Sequence, residues 1–408
     1  MLKNPNIMLI TIDALRNDYS QSKELMPFLS EFGKKSIIFD RAMTANGWTS
    51  PSLASIHTSV FSNKHGLKVT GEDFNEIKYT TISEHLSSNG YETIGLSSIE
   101  TINSTYGFNR GFEKYYDHKS GDKFLRNVGF GNFHLLNLFR KIGLIKSSNY
   151  HSSNGDILNK RIENHLNKKT NNNPFFIWAH YYDIQLPKAK RTSEVKKSKE
   201  VISESEYISL YESGVKNMDS IFKKLILMLE NKNLLSETII IISSDHGEHL
   251  FEKMHKNLTH GITLYDCDIL VPLIISIPGR PPELCDKLVR TVDILPTIMD
   301  FTDTKKEKNR DGLSLFPISN IKNRIAVSEG VAGDRKCIRD DTWKYIWTGN
   351  SPLPGFNLGE PRINELYNIL DDPKEENNLI SSENSVASSY HSKLSEYFPE
   401  IKNNNLLE

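Results

Sequence analysis

Residues 237–250 read ETIIIISSDHGEHL. The first part is continuously apolar and β-branched, the pattern of a strand buried on both faces rather than on one. Asp245, His246 and Gly247 follow it directly, so one turn delivers a carboxylate and an imidazole. A second run of the same kind, NIMLITID from Asn6 to Asp13, also ends on a carboxylate. Tyr91–Ser98, Phe175–Tyr182 and Val271–Ile277 read as further strands, while Thr80–Asn89, Tyr207–Leu235 and Thr291–Phe301 carry helical spacing. Strands alternating with helices predict an α/β fold with a mostly parallel sheet covered on both faces. Such sheets place their sites at the carboxyl ends of strands, where Asp13 and Asp245 both stand.

From about Arg324 the texture changes. AVSEG, KCIRD and WKYIWT read as short strands with tight turns, which predicts a small antiparallel sheet with a terminal helix. The expected division is a catalytic α/β domain over 1–323 and a small α+β subdomain over 324–408. Two stretches, 117–154 and 187–206, lack pattern. The first holds FGNFHLLNLFRKIGLI, an apolar patch with two basic residues. It reads as an insertion packed on the core, a lid, a partner surface or a membrane-touching helix. The tail KNNNLLE is expected to fray.

The chain has 408 residues, enough for a large core plus a subdomain. Its formal net charge is -1, which gives no support to a nucleic-acid or membrane-surface role. The three cysteines, Cys267, Cys285 and Cys337, form no C-x-x-C pair and are too few for a disulfide scaffold. No apolar run reaches the roughly 18 residues of a transmembrane segment. The apolar run at the N-terminus is short and ends on Asp13, which reads as a strand rather than a signal peptide. The expected location is cytoplasmic. The sequence does not define an oligomeric state.

Four residues carry the expected chemistry: Asp13, Thr49 in NGWTSPSLASIHTS, Asp245 and His246. A divalent cation takes carboxylate oxygens and imidazole nitrogen converging from several loops. It also needs the attacking oxygen within reach, to lower that oxygen's pKa. Each motif has a plainer reading: Asp13 as a carboxylate satisfying backbone N–H groups, Asp245–His246 as cap and packing.

The order of the motifs resembles the sulfatase family of the alkaline-phosphatase superfamily. TSPSL at 49–53 matches the family's C-x-P-S-R nucleophile motif at Pro51 and Ser52, with Thr49 in the nucleophile place. ASIHTS, KHG, YETIGLSS, GFNRGFEKYYD, FFIWAHYYDIQLP, SSDHGEHL, HGITLYDCDILVPLIISIPG, RTVDILPTIMD, DGLSL and ELYNILDDPKEENNL continue the series in collinear order. The resemblance implies an alkaline-phosphatase-like sandwich and an ester hydrolase. It implies one divalent metal held by Asp13, Thr49, Asp245 and His246.

Several positions depart from the pattern. Threonine is a secondary alcohol and would not yield the aldehyde that sulfatases make from cysteine or serine. Leu53 stands in place of the motif arginine. Thr49 therefore resembles the phosphodiesterases and phosphotransferases of the superfamily, where a threonine attacks phosphorus directly. Ala14 replaces the second acid usual after the first strand. With His246 as a nitrogen ligand, this favours Mn2+ or Zn2+ over Ca2+. His260 is expected to bind the anion or protonate the leaving group, or to be a buried histidine with a satisfied hydrogen bond. His180 lies on the aromatic strand and is expected to face the same cleft as a catalytic residue. Its family partner is replaced by Gln185, which cannot shuttle a proton. Arg16, Asn46, Lys64 and His65 are candidate neighbours, and His255 a further histidine in reach. Trp48 would shield the nucleophile or serve the core. A helix starting near Pro51 would aim its N-terminus at the anion.

Three functions remain open on these residues. One is a phosphate mono- or diester hydrolase or transferase using Thr49. The second is a sulfuric ester hydrolase working without formylglycine. The third is a catalytically silent binding protein. The expected substrate is a small-molecule, glycan or lipid-head-group ester.

Overall fold

The computed structural model of the chain describes residues 4–69, 71–117, 154–188, 202–252, 260–302, 304, 307–331, 335–349 and 363–402. The apolar patch at 130–145, His255, the tail after Lys402 expected to fray and most of 187–206 lie outside them.

The larger sheet has eight strands in the order β4-β3-β5-β1-β6-β7-β2-β8. They span Asn6–Ile12 (β1), Ile37–Met43 (β2), Glu92–Ser97 (β3), Lys114–Tyr116 (β4), Phe175–Tyr181 (β5), Thr238–Ser244 (β6), Leu270–Ser276 (β7) and Glu283–Arg290 (β8). β1 is central and pairs in parallel with β5 and β6. β7 alone runs against its neighbours β6 and β2, so the sheet is mostly parallel. Alternate residues of β1 serve two cores. Ile7 and Leu9 pack with Leu53, Ile56, Ile82, Leu86 and Ile298, while Met8, Ile10 and Ile12 pack with Leu158, Ile162, Val215, Met218 and Phe222. Helices therefore cover both faces, which is why the strands read as continuous apolar runs.

The covering helices are α1 (Pro27–Gly33), α2 (Thr49–Thr58), α3 (Ile82–Ser88), α4 (Gly155–Lys168), α5 (Glu204–Asn231) and α6 (Ile294–Phe301). Thr81 and Glu84 close a reciprocal capping box at the start of α3, and Ser203 caps α5, each satisfying amide groups that the helix leaves open. No helix of the described residues is long and apolar enough to cross a membrane.

A second sheet is antiparallel, in the order β12-β11-β10-β9. Its strands are Ala326–Glu329 (β9), Arg335–Arg339 (β10), Trp343–Thr348 (β11) and Glu365–Asn368 (β12), and the helix Asn384–Tyr397 (α7) covers them. β9 touches the main body where the site lies. Glu329 N–H donates to the Ala45 carbonyl at 3.1 Å, Gly47 N–H to the Glu329 carbonyl at 3.2 Å, and Val331 N–H to the Gly261 carbonyl at 2.8 Å. The small sheet thus braces the two loops that carry Thr49 and His260.

Candidate active site

Three neighbouring strands bring three ligand-type side chains to one end of the sheet. The register pairs Thr11 with His180 and Ile12 with Ser244. Asp13 and Asp245 therefore leave their strands side by side, and His180 projects from β5 beside them. The Asp13, His180 and Asp245 ligand atoms all lie within 4.8 Å of one another. Trp178 Nε1 donates to Thr11 Oγ1 at 3.0 Å, and Thr11 Oγ1 lies 2.9 Å from His180 Nδ1. These contacts fix the imidazole by one edge and leave Nε2 facing the acids, 3.6 Å from Asp13 Oδ2. Asp245 is anchored by its other oxygen, which accepts the Ala14 and His246 amides at 3.1 and 2.9 Å. Ala14 adopts a left-handed φ of 59° to make its contact, a conformation that costs an alanine on the order of 1 kcal/mol.

Thr49 is the first residue of α2, preceded by an extended Trp48. Its Oγ1 lies 3.1 Å from His246 Nε2 and 3.4 Å from Asp13 Oδ2. The start of α2 is tied to the end of β6, because Thr44 and Ser52 hydroxyls both donate to the Asp245 carbonyl. No side chain caps α2, so its first amides and its dipole favour an anion beside Thr49. Gly247 is required: a Cβ there would stand 1.9 Å from the Cys267 carbonyl oxygen.

His260 completes the wall. Its ring stacks on His246 with centroids 3.9 Å apart and lies 4.9 Å from the Trp48 ring. His260 Nδ1 sits 3.4 Å from Glu248 Oε2. Glu248 in turn meets Lys188 Nζ at 2.9 Å, Tyr207 Oη at 3.0 Å and Gln185 Nε2.

The electrostatics separate the two central acids. Burial alone would push Asp13 up, but the neighbouring His180, His246 and His260 hold its carboxyl below the ordinary carboxylate value. Asp245 is pushed above it, by burial first and then by the charge of Asp13, against His246 and His180. Two acids in one dry site cannot both ionise without positive charge. Asp13 Oδ1, Asp245 Oδ2 and His180 Nε2 are moreover buried without a hydrogen-bond partner, a cost that burial of polar groups makes steep. Unpartnered oxygens and nitrogen on one spot are the donor set of a divalent cation. His246 Nε2, 3.3 Å from Asp245 Oδ2, is a fourth donor in reach.

The other candidates fall outside this centre. His65 bonds Ser55 Oγ at 2.9 Å, and burial pushes its pKa down to about 3, so it packs as a neutral residue under α2. Lys64 pairs with Asp311. Asn46 is buried and accepts the Trp48 amide at 2.9 Å, shaping the turn before Thr49. Arg16 pairs with Asp18 at 2.7 Å and with Glu252 and donates to the Glu248 carbonyl at 3.2 Å. That guanidinium also stands beside a second ligand-type group, His249, Glu252 and Cys267, and supplies the positive charge there itself.

The sequence model of the sulfatase family matches residues 5–304. The chain belongs to the sulfatase family. It is 25% identical to an arylsulfatase of Clostridium perfringens over 93% of this chain and 91% of that protein. It is 30% identical to arylsulfatase K of Bos taurus, over 43% of this chain and 34% of that protein. It thus spans about a third of the length of this relative. Among solved structures, a chain in complex with its substrate D-glucosamine-2-N,6-O-disulfate superposes with a TM-score of 0.72 at 18% identity, covering 99% of both chains. The phosphonate monoester hydrolase of Agrobacterium radiobacter superposes with a TM-score of 0.71 at 16% identity, covering 97% of this chain and 96% of that one. The structural likenesses show the fold, and it is the one expected of a sulfatase-family chain. Against that background Leu53 is fully buried in the apolar core, where an arginine would be an unpaired buried charge. Sequence reasoning placed His180 in the cleft but not with the two carboxylates, and it missed Glu248, Lys188 and Tyr207.

Proposed function

We propose that this sulfatase-family protein hydrolyses, or transfers, phosphate mono- or diesters through Thr49, with one divalent cation, Mn2+ or Zn2+, held by Asp13, Asp245, His246 and Thr49 and with His180 Nε2 as a further donor. The observation that carries the reading is the place of Thr49 Oγ1, at the start of an uncapped helix and 3.1 Å from His246 Nε2. Threonine keeps its hydroxyl as an alcohol, so attack goes directly from oxygen to the ester centre.

When bound, the cation supplies the positive charge that lowers the hydroxyl's pKa and offsets charge on the transferred group. The chain does the rest. Asp13 and His246 flank Thr49 Oγ1 and orient its hydroxyl before the proton leaves. The α2 amides receive the non-transferred oxygens. Thr49 oxygen, its proton already lost to solvent, bonds to phosphorus as the bond to the leaving oxygen breaks. That oxygen takes a proton from protonated His260. Neutral His260 then removes a proton from water, which frees phosphate from Thr49 and restores both side chains. Another acceptor alcohol in place of water would make the reaction a transfer. The sugar sulfate bound by one structural neighbour favours a small-molecule, glycan or lipid-head-group ester.

A second reading, hydrolysis of sulfate esters by the same threonine, is favoured by the likeness to the Clostridium arylsulfatase along nearly the whole chain. Metal-loaded protein offered aryl phosphate, bis-aryl phosphate, aryl phosphonate and aryl sulfate separates the two. Phosphate-ester turnover exceeding aryl-sulfate turnover supports the first reading, and the reverse order supports the second.

A further inference from the structure

We propose that Glu248 is a positioning residue for proton transfer: it holds His260 with Nδ1 protonated and Nε2 turned to the reacting ester, and Lys188 keeps Glu248 in place for that task. The proposal rests on the reading of His260 as the proton donor to the leaving group.

The argument starts from what each atom can do. A carboxylate only accepts, so the 3.4 Å contact between His260 Nδ1 and Glu248 Oε2 must carry its proton on nitrogen. Nε2, on the opposite edge of the ring, is then the nitrogen left to exchange protons with a substrate. The ring is held in place by its stack on His246 and its contact with Trp48. Glu248 itself cannot turn away. Its second oxygen accepts from Tyr207 Oη at 3.0 Å, its amide bonds the Cys267 carbonyl at 3.0 Å, and Arg16 holds its own carbonyl at 3.2 Å. Lys188 reaches the same oxygen as His260, at 2.9 Å, and its ammonium lies over the Tyr207 and Tyr211 rings at 4.9 and 5.2 Å.

A purely structural role fits this arrangement less well. A buried ion pair adds little stability over apolar packing of the same size, and Lys188, Tyr207 and Gln185 already satisfy the carboxylate. The fourth donor is the one that opens outward. The His260 side chain is 19% exposed, against 5% for Lys188 and 2% for Glu248. Of these three groups the imidazole is therefore the one most open to solvent. It also supplies what Gln185 cannot, since an amide in the family histidine's place holds no exchangeable acid.

The test uses the full chain loaded with Zn2+ and the variant E248Q/K188M, which removes both charges together and so avoids a lone buried charge. Selective 15N-histidine NMR, with His260 assigned by its own substitution, reads the tautomer without turnover. The wild type should show Nδ1–H, and the variant should lose that preference. Two esters then read the function, one with a nitrophenol leaving group and one with an alkyl alcohol. The alkyl ester, which needs the proton, should slow by about 100-fold, and the nitrophenyl ester by far less. Equal losses on both esters would reduce the network to a structural prop and overturn the proposal, as would Nε2–H in the wild type. If the wild type turns over neither ester, the phosphoester reading itself falls, while the tautomer still reports on Glu248.

Discussion

Two buried clusters of charge lie close together in this protein and are built on opposite terms. Between the loop after His260 and the small sheet, Lys344 is fully buried and faces Asp266 at 2.8 Å and Glu375 at 2.6 Å, while Arg339 pairs with Asp266 as well. Two cations and two acids close on each other, and Asp266 is held down at about 2, against burial, by Arg339 and Lys344. At the strand ends, Asp13 and Asp245 share a dry space with imidazoles alone, and three of their group's polar atoms have no partner. The first cluster pairs its acids with cations of its own and fastens the small sheet to the site loop. The second sets two acids against imidazoles only, and the proposed cation would complete it.

The largest effect that would break this contrast is at Asp245. Asp245→Asn should lower turnover by at least about 1,000-fold, several kcal/mol of barrier, with loss of bound metal. The same change relieves the repulsion, so the metal-free variant should melt above the metal-free wild type. Metal at 100 times its Kd should stabilise the wild type by about 2.7 kcal/mol and the variant by much less. Calorimetry with metal analysis reads both; a variant that binds metal as the wild type does would contradict the assignment.

The closed cluster should behave in the reverse way. Lys344→Met leaves Asp266 and Glu375 short of a partner and should cost about 3–5 kcal/mol of stability. The kcat of molecules that remain folded should change far less than in the Asp245 variant. Chemical denaturation alongside kinetics checks this.

A smaller effect concerns pH. Burial pushes His57, which packs edge-on against Trp178, down to about 3. The unfolded chain takes up this proton first, near 6.5, so the stability from neutral His57 is complete above 6.5 and is lost as pH falls toward 3. One unit below 6.5 the loss is about 1.4 kcal/mol. His57→Leu should flatten the fall in Tm across that range; an unchanged slope would place the proton uptake elsewhere.

The sequence made legible what depends on local pattern. β1, β3, β5, β6 and β7 are buried on both faces, and their apolar runs show it. β2 was hidden because Asp40 and Arg41 interrupt IIFDRAM at a register shift between Phe39 and Ala42. β8 was hidden because it is an edge strand that alternates with exposed charge. The reversal of β7 has no residue signature, since direction is set by connection. Asp13, Thr49, Asp245 and His246 were readable because each follows or opens a strong element. His180 is brought to them through the pairing of β1 with β5, which sets it opposite Thr11, 169 residues away, and composition does not report this. Lys188 and Tyr207 border a stretch without periodicity, and Glu248 gains meaning only when its partners are seen.

The central claim is that Thr49 oxygen attacks the ester. Metal-loaded protein incubated with a phosphodiester and quenched in acid should carry phosphate on the peptide that contains Thr49, with the modification on Thr49 itself. Thr49→Ala should lose both the adduct and turnover while keeping its fold and metal. An adduct on Ser50 or Ser52, with Thr49→Ala fully active, would contradict the account.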